Sequence, residues 1–257
     1  MLEVGPSARR FATVAGAALA TFLAINGVRA AEVKVAVAAN FTEAANEIGA
    51  LFEKATGDKA VFSFGATGQF YTQITQSAPF EVFLSADQER PEKAETEGYA
   101  VPGSRFTYAT GKIVLFSMNK QDVHGEATLH DAKFAKLAIC NPVTAPYGEA
   151  SVEAMKALGV YDALKDKLVV GESISQAYQF VATGNAEVGF VALSQVAREP
   201  DKGSRWIVPP NLYKPIAQDA VLLKRGADNP AAKAFITFLK GPEAHAVIEK
   251  FGYGTGG

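Results

Sequence analysis

From Glu32 onward, short β-branched runs alternate with segments of helical period, and the alternation runs through twice. "EVKVAVA" reads as a strand, after which Phe41, Ala44, Ala45, Ile48, Leu51 and Phe52 share one face of a helix that Gly57 ends. "KAVFSF" and a helix from Phe70 to Gln76 follow, then "FEVFLSA" and a charged helix through "QERPEKAETEG". The second series opens at "KIVLFSM". It continues through "KLAIC", a helix in "EASVEAMKAL", "KLVVG", a helix in "SISQAYQFVATG" and finally "EVGFVAL". Parallel strands need a crossover, usually a helix, so each series predicts a parallel sheet covered by helices. The expected fold class is α/β, in two units.

After the Pro-rich "IVPPNLYKPIA", one more strand-like run, "DAVLLK", precedes helices in "NPAAKAFITFLKG" and "PEAHAVIEKFG". If those helices pack on the first unit, the chain crosses between two lobes twice and leaves a cleft between them. The expected division is residues 31–111 and 220–257 for the first lobe and 112–219 for the second. An apolar content of 48% is ample for two cores.

Residues 1–30 read as a secretory leader. Arg9 and Arg10 precede an apolar, Ala-rich run of 17 residues, and Val28 and Ala30 are small enough for a cleavage site, so export to the periplasm with cleavage after Ala30 is expected. The run is short for a membrane span, which needs about 20 residues. No Cys stands directly after the site, so no lipid-anchored form is expected. Beyond Ala30 the chain carries 22 basic and 26 acidic residues, a balance that argues against a nucleic-acid partner. Cys140 is the single cysteine, which excludes an internal disulfide and a Cys-based metal cluster; its place in "KLAIC" predicts a buried, inert thiol.

Enzyme motifs fail. "GESIS" from Gly171 has Ser175 where a nucleophile elbow needs its second glycine. "GATGQF" from Gly65 lacks both the lysine of a P-loop and the third glycine of a dinucleotide fingerprint. His124, His130 and His245 show no metal-ligand spacing. No catalytic residue, cofactor or directly ligated metal is expected.

What recurs is a strand, a turn of small residues and a helix start. It appears at Ala39-Asn40, at Gly65-Ala66-Thr67-Gly68, at Ala145-Pro146-Tyr147-Gly148 and at Ser173-Ile174. Each start offers unpaired backbone N–H groups at the positive end of a helix dipole, and ligands of open α/β sheets bind beyond the carboxyl ends of strands. Two starts fall in each lobe, so all four can face one cleft. The competing reading is plain capping, with Asn40 and Glu43 as a capping box and Thr67 and Ser173 as N-caps.

From Val33 to Gly254 the chain resembles the periplasmic molybdate- and tungstate-binding proteins of bacterial ABC transporters. The motifs that carry the resemblance are "VAVAANFTEAANEI", "SFGATGQFYTQI", "FEVFLSADQ", "NPVTAPYGEASVEAMKALG", "GNAEVGFVALSQV" and "FLKGPEAHAVIEKFGY". The resemblance implies a two-lobed, type II periplasmic-binding-protein fold and a receptor that is a monomer serving an inner-membrane permease. It places oxyanion-binding positions at Asn40, Thr67, Tyr147 and Ile174, with Ala39 and Gly68 as further candidates. Many members carry Ser at position 40, a small residue at 147 and a donor Tyr at 192. Here those positions hold Asn40, Tyr147 and Ala192, and Tyr147 is the candidate to replace the missing hydroxyl.

No Lys or Arg occurs in "SFGATGQFYTQI". Molybdate carries no proton at neutral pH, so a site of donors alone suits it, and dispersed N–H dipoles balance its charge without a buried cation. Monohydrogen phosphate needs an acceptor, which none of the four positions supplies, although Glu149 is close enough in sequence to keep that reading open. Alternatives are a receptor for sulfate or another tetrahedral oxyanion and, from a different class, an exported α/β hydrolase.

Overall fold

The computed structural model describes residues 1–3 and 30–255. The expected leader falls almost wholly outside the described residues. Among the described residues no helix is long and apolar enough to cross a membrane.

Two five-stranded sheets form the framework. The first contains β1 (Glu32–Ala38), β2 (Lys59–Gly65), β3 (Val82–Leu84) and β4 (Phe106–Gly111). The second contains β5 (Ile113–Ser117), β6 (Leu137–Cys140), β7 (Leu168–Gly171), β8 (Val188–Ala192) and β9 (Ser204–Ile207). The last strand, β10 (Ile216–Leu222), returns to the first sheet. Strand orders are β2-β1-β3-β10-β4 and β7-β6-β8-β5-β9.

Neither sheet is purely parallel, which corrects the expectation from alternation. β1 lies parallel to β2 and β3, and β6 parallel to β7 and β8, as the helical crossovers require. β10 runs antiparallel to β3 and β4, and β5 antiparallel to β8 and β9. The antiparallel strands are those next to the passages between sheets, where the chain arrives from the other lobe rather than through a helix. The return comes earlier than the expected boundary at 219/220, because β10 begins at Ile216.

The helices are α1 (Thr42–Thr56), α2 (Thr67–Thr75), α3 (Glu89–Thr96), α4 (Ala127–Asp131), α5 (Pro146–Ala157), α6 (Tyr161–Leu164), α7 (Ile174–Ala182), α8 (Pro230–Leu239) and α9 (Pro242–Lys250). α1 buries Ala44, Ala45, Ile48 and Phe52 and ends where Gly57 adopts a left-handed conformation at φ 78°, its N–H donating to the Glu53 carbonyl. α8 starts at Asn229, whose side chain caps the Ala231 N–H, with Pro230 in the first turn. Both helices pack on the first sheet: Phe52 and Phe235 meet edge to face at 5.3 Å in a core that also holds Val33, Val35, Val37 and Ile248. The largest apolar cluster joins Ala38, Ala39 and Ala66 of the first lobe to Ile139, Tyr147 and Ile174 of the second. Apolar packing therefore continues across the cleft.

Candidate oxyanion site between the lobes

β1 and β2 end at one lip of the cleft and β6 and β7 at the other, and each is followed by a helical turn. Ala39–Phe41 forms a single 3-10 turn after β1; α2, α5 and α7 start after β2, β6 and β7. Asn40, Thr67, Tyr147 and Ile174 all line one small cavity between the lobes, of about 10 Å3, which is room for roughly one water centre. Ala39 lines it as well. All four named residues are at most 3% exposed, and among the described residues none that lines this cavity is charged.

Position supplies the backbone donors. Thr67 and Ile174 are the first residues of α2 and α7 and Tyr147 the second of α5, so their N–H groups have no acceptor within their own helices. Gly68 is different: its N–H donates to the Thr144 carbonyl at 2.9 Å, so that candidate is spent on the opposite lobe.

The side chains divide between capping and the cleft. Ser173 is an N-cap, accepting from the Gln176 N–H. Thr67 is not, because the cap position is Ala66; the Thr67 hydroxyl accepts the Ala86 N–H at 3.0 Å and keeps its own proton to donate. Asn40 makes no capping box. Its Nδ2 donates to Gln218 Oε1 at 2.8 Å and Tyr253 Oη at 3.0 Å, with Tyr147 Oη at 3.3 Å. Two hydrogens already serve the two shorter bonds, so Asn40 offers an anion its backbone, not a free amide.

The Tyr147 hydroxyl also accepts from Gln218 Nε2 at 3.2 Å. Tyr108 and Tyr253 complete this buried group and pack edge-on against Phe41, at centroid distances of 4.9 and 5.3 Å. Burial pushes all three phenols above their ordinary pKa, so each remains a protonated donor at neutral pH. Cys140 is likewise pushed up by burial, to about 12, and is inert.

Two other candidates resolve plainly. Ala192 is fully buried, and its N–H donates to Gln195 Oε1 at 2.9 Å; it does not line the cavity. Glu149 is exposed, its carboxylate 3.9 Å from Lys214 Nζ, so it supplies no acceptor to the cavity. Gln218, Tyr253, Tyr108 and Ser194 are the participants that sequence reasoning passed over. The adjacent polar pair Gln218-Asp219 inside the apolar "IAQDAVLL" was the available signal.

A profile of the bacterial extracellular solute-binding proteins matches residues 33–254. This chain belongs to that family. Among these solute-binding proteins, the molybdate-binding protein ModA of Rhodobacter capsulatus is 60% identical over 226 residues, covering 88% of this chain and 89% of the relative. ModA of Azotobacter vinelandii is 56% identical over 240 residues, covering 92% and 95%. The solved structure of the Azotobacter vinelandii periplasmic molybdate-binding protein superposes with a TM-score of 0.85 at 40% identity, covering 88% of this chain and 100% of that one. The two-lobed solute-binding-protein fold is therefore shared, as the sequence motifs predicted.

Proposed function

We propose that this protein captures molybdate, and tungstate, in the periplasm and presents the closed complex to an inner-membrane ABC permease. The observation that carries this reading is the donor-only cavity. The residues that line it include the helix starts Thr67, Tyr147 and Ile174, with no charged side chain among its described lining residues. A proton-free dianion matches such a ring, and the helix-end dipoles balance it without a buried cation that would be costly in the empty site. Asn40, Thr67, Tyr147 and Ile174 are the proposed contacts, with Ala39 beside them. The names of the relatives support molybdate as ligand and the periplasm as location.

The same reading makes the protein a carrier and not an enzyme, a monomer that uses no cofactor and exposes no nucleic-acid surface, exported by a leader cleaved after Ala30. Sulfate is a proton-free dianion too, and cavity size is what separates it from molybdate. Isothermal titration with molybdate, tungstate, sulfate and phosphate tests the proposal. Tight binding of the first two with far weaker binding of the others is expected. A ligand present at a thousandfold excess over its Kd adds about 4 kcal/mol of stability, so thermal shifts rank the anions independently. Equal shifts for all four would refute the assignment.

A further inference from the structure

Beneath the cavity a chain of buried hydrogen bonds runs from a main-chain carbonyl to the Tyr147 hydroxyl, and each link fixes the direction of the next. The Asn40 carbonyl can only accept, and it receives Tyr253 Oη at 2.6 Å and Ser194 Oγ at 2.8 Å. Tyr253 has then spent its single proton, so its oxygen accepts from Asn40 Nδ2 at 3.0 Å. This orients the Asn40 amide, which gives its other hydrogen to Gln218 Oε1 at 2.8 Å. Gln218 is oriented in turn, and its Nε2 donates to Tyr147 Oη at 3.2 Å. Tyr147 Oη is thus held as an acceptor from Gln218 and Asn40, and the residue itself lines the cavity.

Gln218 occupies this place through an irregularity in β10. The register against β4 shifts between Gln218 and Asp219, and both residues are buried, at 0% and 1% exposure. Asp219 takes Arg105, Thr107 and Gln88 as partners, while Gln218 takes Asn40, Tyr108 and Tyr147. A glutamine inside a strand is costly unless its amide is satisfied at both ends, and here both ends are bonded.

We propose that Gln218 is a positioning residue that sets anion selectivity, holding the Tyr147 hydroxyl as a donor toward the cleft. With that polarity the site takes anions that bring no proton and rejects anions that must donate one. The inference rests on the reading of the cavity as an oxyanion site. Gln218→Glu reverses the polarity: an ionised carboxylate only accepts, so the Tyr147 proton turns to it and a lone pair faces the ligand.

The test is calorimetric titration of the parent, Gln218→Glu and Gln218→Met with molybdate and with hydrogen arsenate, at about pH 8, and with molybdate again at about pH 6. In Gln218→Glu the molybdate affinity falls roughly a hundredfold at the higher pH, and the molybdate-to-arsenate ratio narrows at least about tenfold. The loss is partly relieved at the lower pH, where the introduced carboxyl regains a proton to donate. Gln218→Met, which neither donates nor accepts, narrows the ratio without that pH dependence, and it decides the matter if the glutamate variant does not fold. Equal losses for both anions at an unchanged pH profile would overturn the polarity relay while leaving the oxyanion site standing. A parent that binds neither anion would instead overturn the reading of the cleft.

Discussion

The backbone N–H of Gly68, in the first turn of α2, donates to the carbonyl of Thr144, in the loop before α5, at 2.9 Å. The bond joins one lobe to the other next to the proposed anion site. It has company: Arg90 Nη2 donates to the Val143 carbonyl at 3.2 Å, Gln69 Nε2 to Glu172 at 3.1 Å and Ser175 Oγ to the Ala39 carbonyl at 3.3 Å. These bonds belong to a conformation with the lobes together, and a ligand that accepts from donors of both lobes stabilises that conformation over an open one.

Gly68→Ala tests this closure. An added Cβ would lie 3.1 Å from both Cα and O of Thr144 and 3.2 Å from Arg90 Nη2, so the lobes must part by a few tenths of an ångström. The expected result is a melting temperature unchanged without ligand and a molybdate-induced increase that shrinks, with affinity down several-fold, on the order of 1 kcal/mol. Solution scattering should show the parent contracting on adding molybdate and the variant contracting less. A destabilised ligand-free variant would place the clash inside a lobe rather than between lobes.

Gly111, the last residue of β4, bears on the site from beneath. A Cβ there would lie 2.0 Å from Tyr147 Oη and 2.7 Å from Gln218 Nε2. Gly111→Ala must displace buried, hydrogen-bonded groups, with a cost of about 1–3 kcal/mol in thermal or denaturant unfolding. Molybdate affinity falls with it, because the displaced atoms are those that hold the Tyr147 hydroxyl. Unchanged stability together with unchanged affinity would mean that Tyr147 has another place to go.

Much of this was legible from the chain. The segments of strong period 3.6 and the apolar runs β1, β5 and β8 could be placed because burial imposes their pattern. β4, "FTYATG", and β9, "SRWI", escaped: one merges with the run that follows it, and the other is short and only partly buried beside a Pro-rich segment. The four helix starts were readable as a group because strand–turn–helix is a local pattern. The network behind them was not. Asn40 and Gln218 are 178 positions apart and Asn40 and Tyr253 are 213 apart, so only the fold brings them together. The capping-box reading of Asn40 failed for the same reason: a distant glutamine and a distant tyrosine take the side chain.

The buried phenols predict how the fold responds to alkali. Burial raises the pKa values of Tyr108, Tyr147 and Tyr253 above the unfolded value near 10. Above that unfolded value the unfolded chain has released protons that the native chain keeps, so the contribution of these phenols is complete below about pH 10 and falls as pH rises through it. Three such groups give a slope of about 4 kcal/mol per pH unit in their common window. Urea unfolding at stepped alkaline pH measures it, and Tyr147→Phe should lower the slope by about 1.4 kcal/mol per pH unit. An unchanged slope in the variant would show that Tyr147 ionises in the folded protein as readily as in the unfolded chain.

Tyr147 is the candidate to replace the donor missing at position 192. Ala192 is sealed in the core, so nothing at that position reaches the cavity, whereas Tyr147 lines it. Tyr147 is 2% exposed, which disfavours a lid role at the solvent-facing cleft mouth. Tyr147→Phe keeps the ring and the backbone N–H and deletes only the hydroxyl. A hydrogen bond to a charged group contributes about 1.5–3 kcal/mol, so molybdate affinity should fall roughly tenfold or more. The same change leaves Gln218 Nε2 without its acceptor, which lowers unfolding stability by about 1–3 kcal/mol in the absence of ligand. Tyr147→Ala opens a cavity as well and costs about 3–5 kcal/mol of stability, yet binding measured on the protein that remains folded should be little weaker than in Tyr147→Phe if the hydroxyl is the contact. If Tyr147→Phe binds like the parent while Tyr147→Ala binds poorly, the ring contributes by packing, and the donors must be the helix-start N–H groups and Thr67 alone.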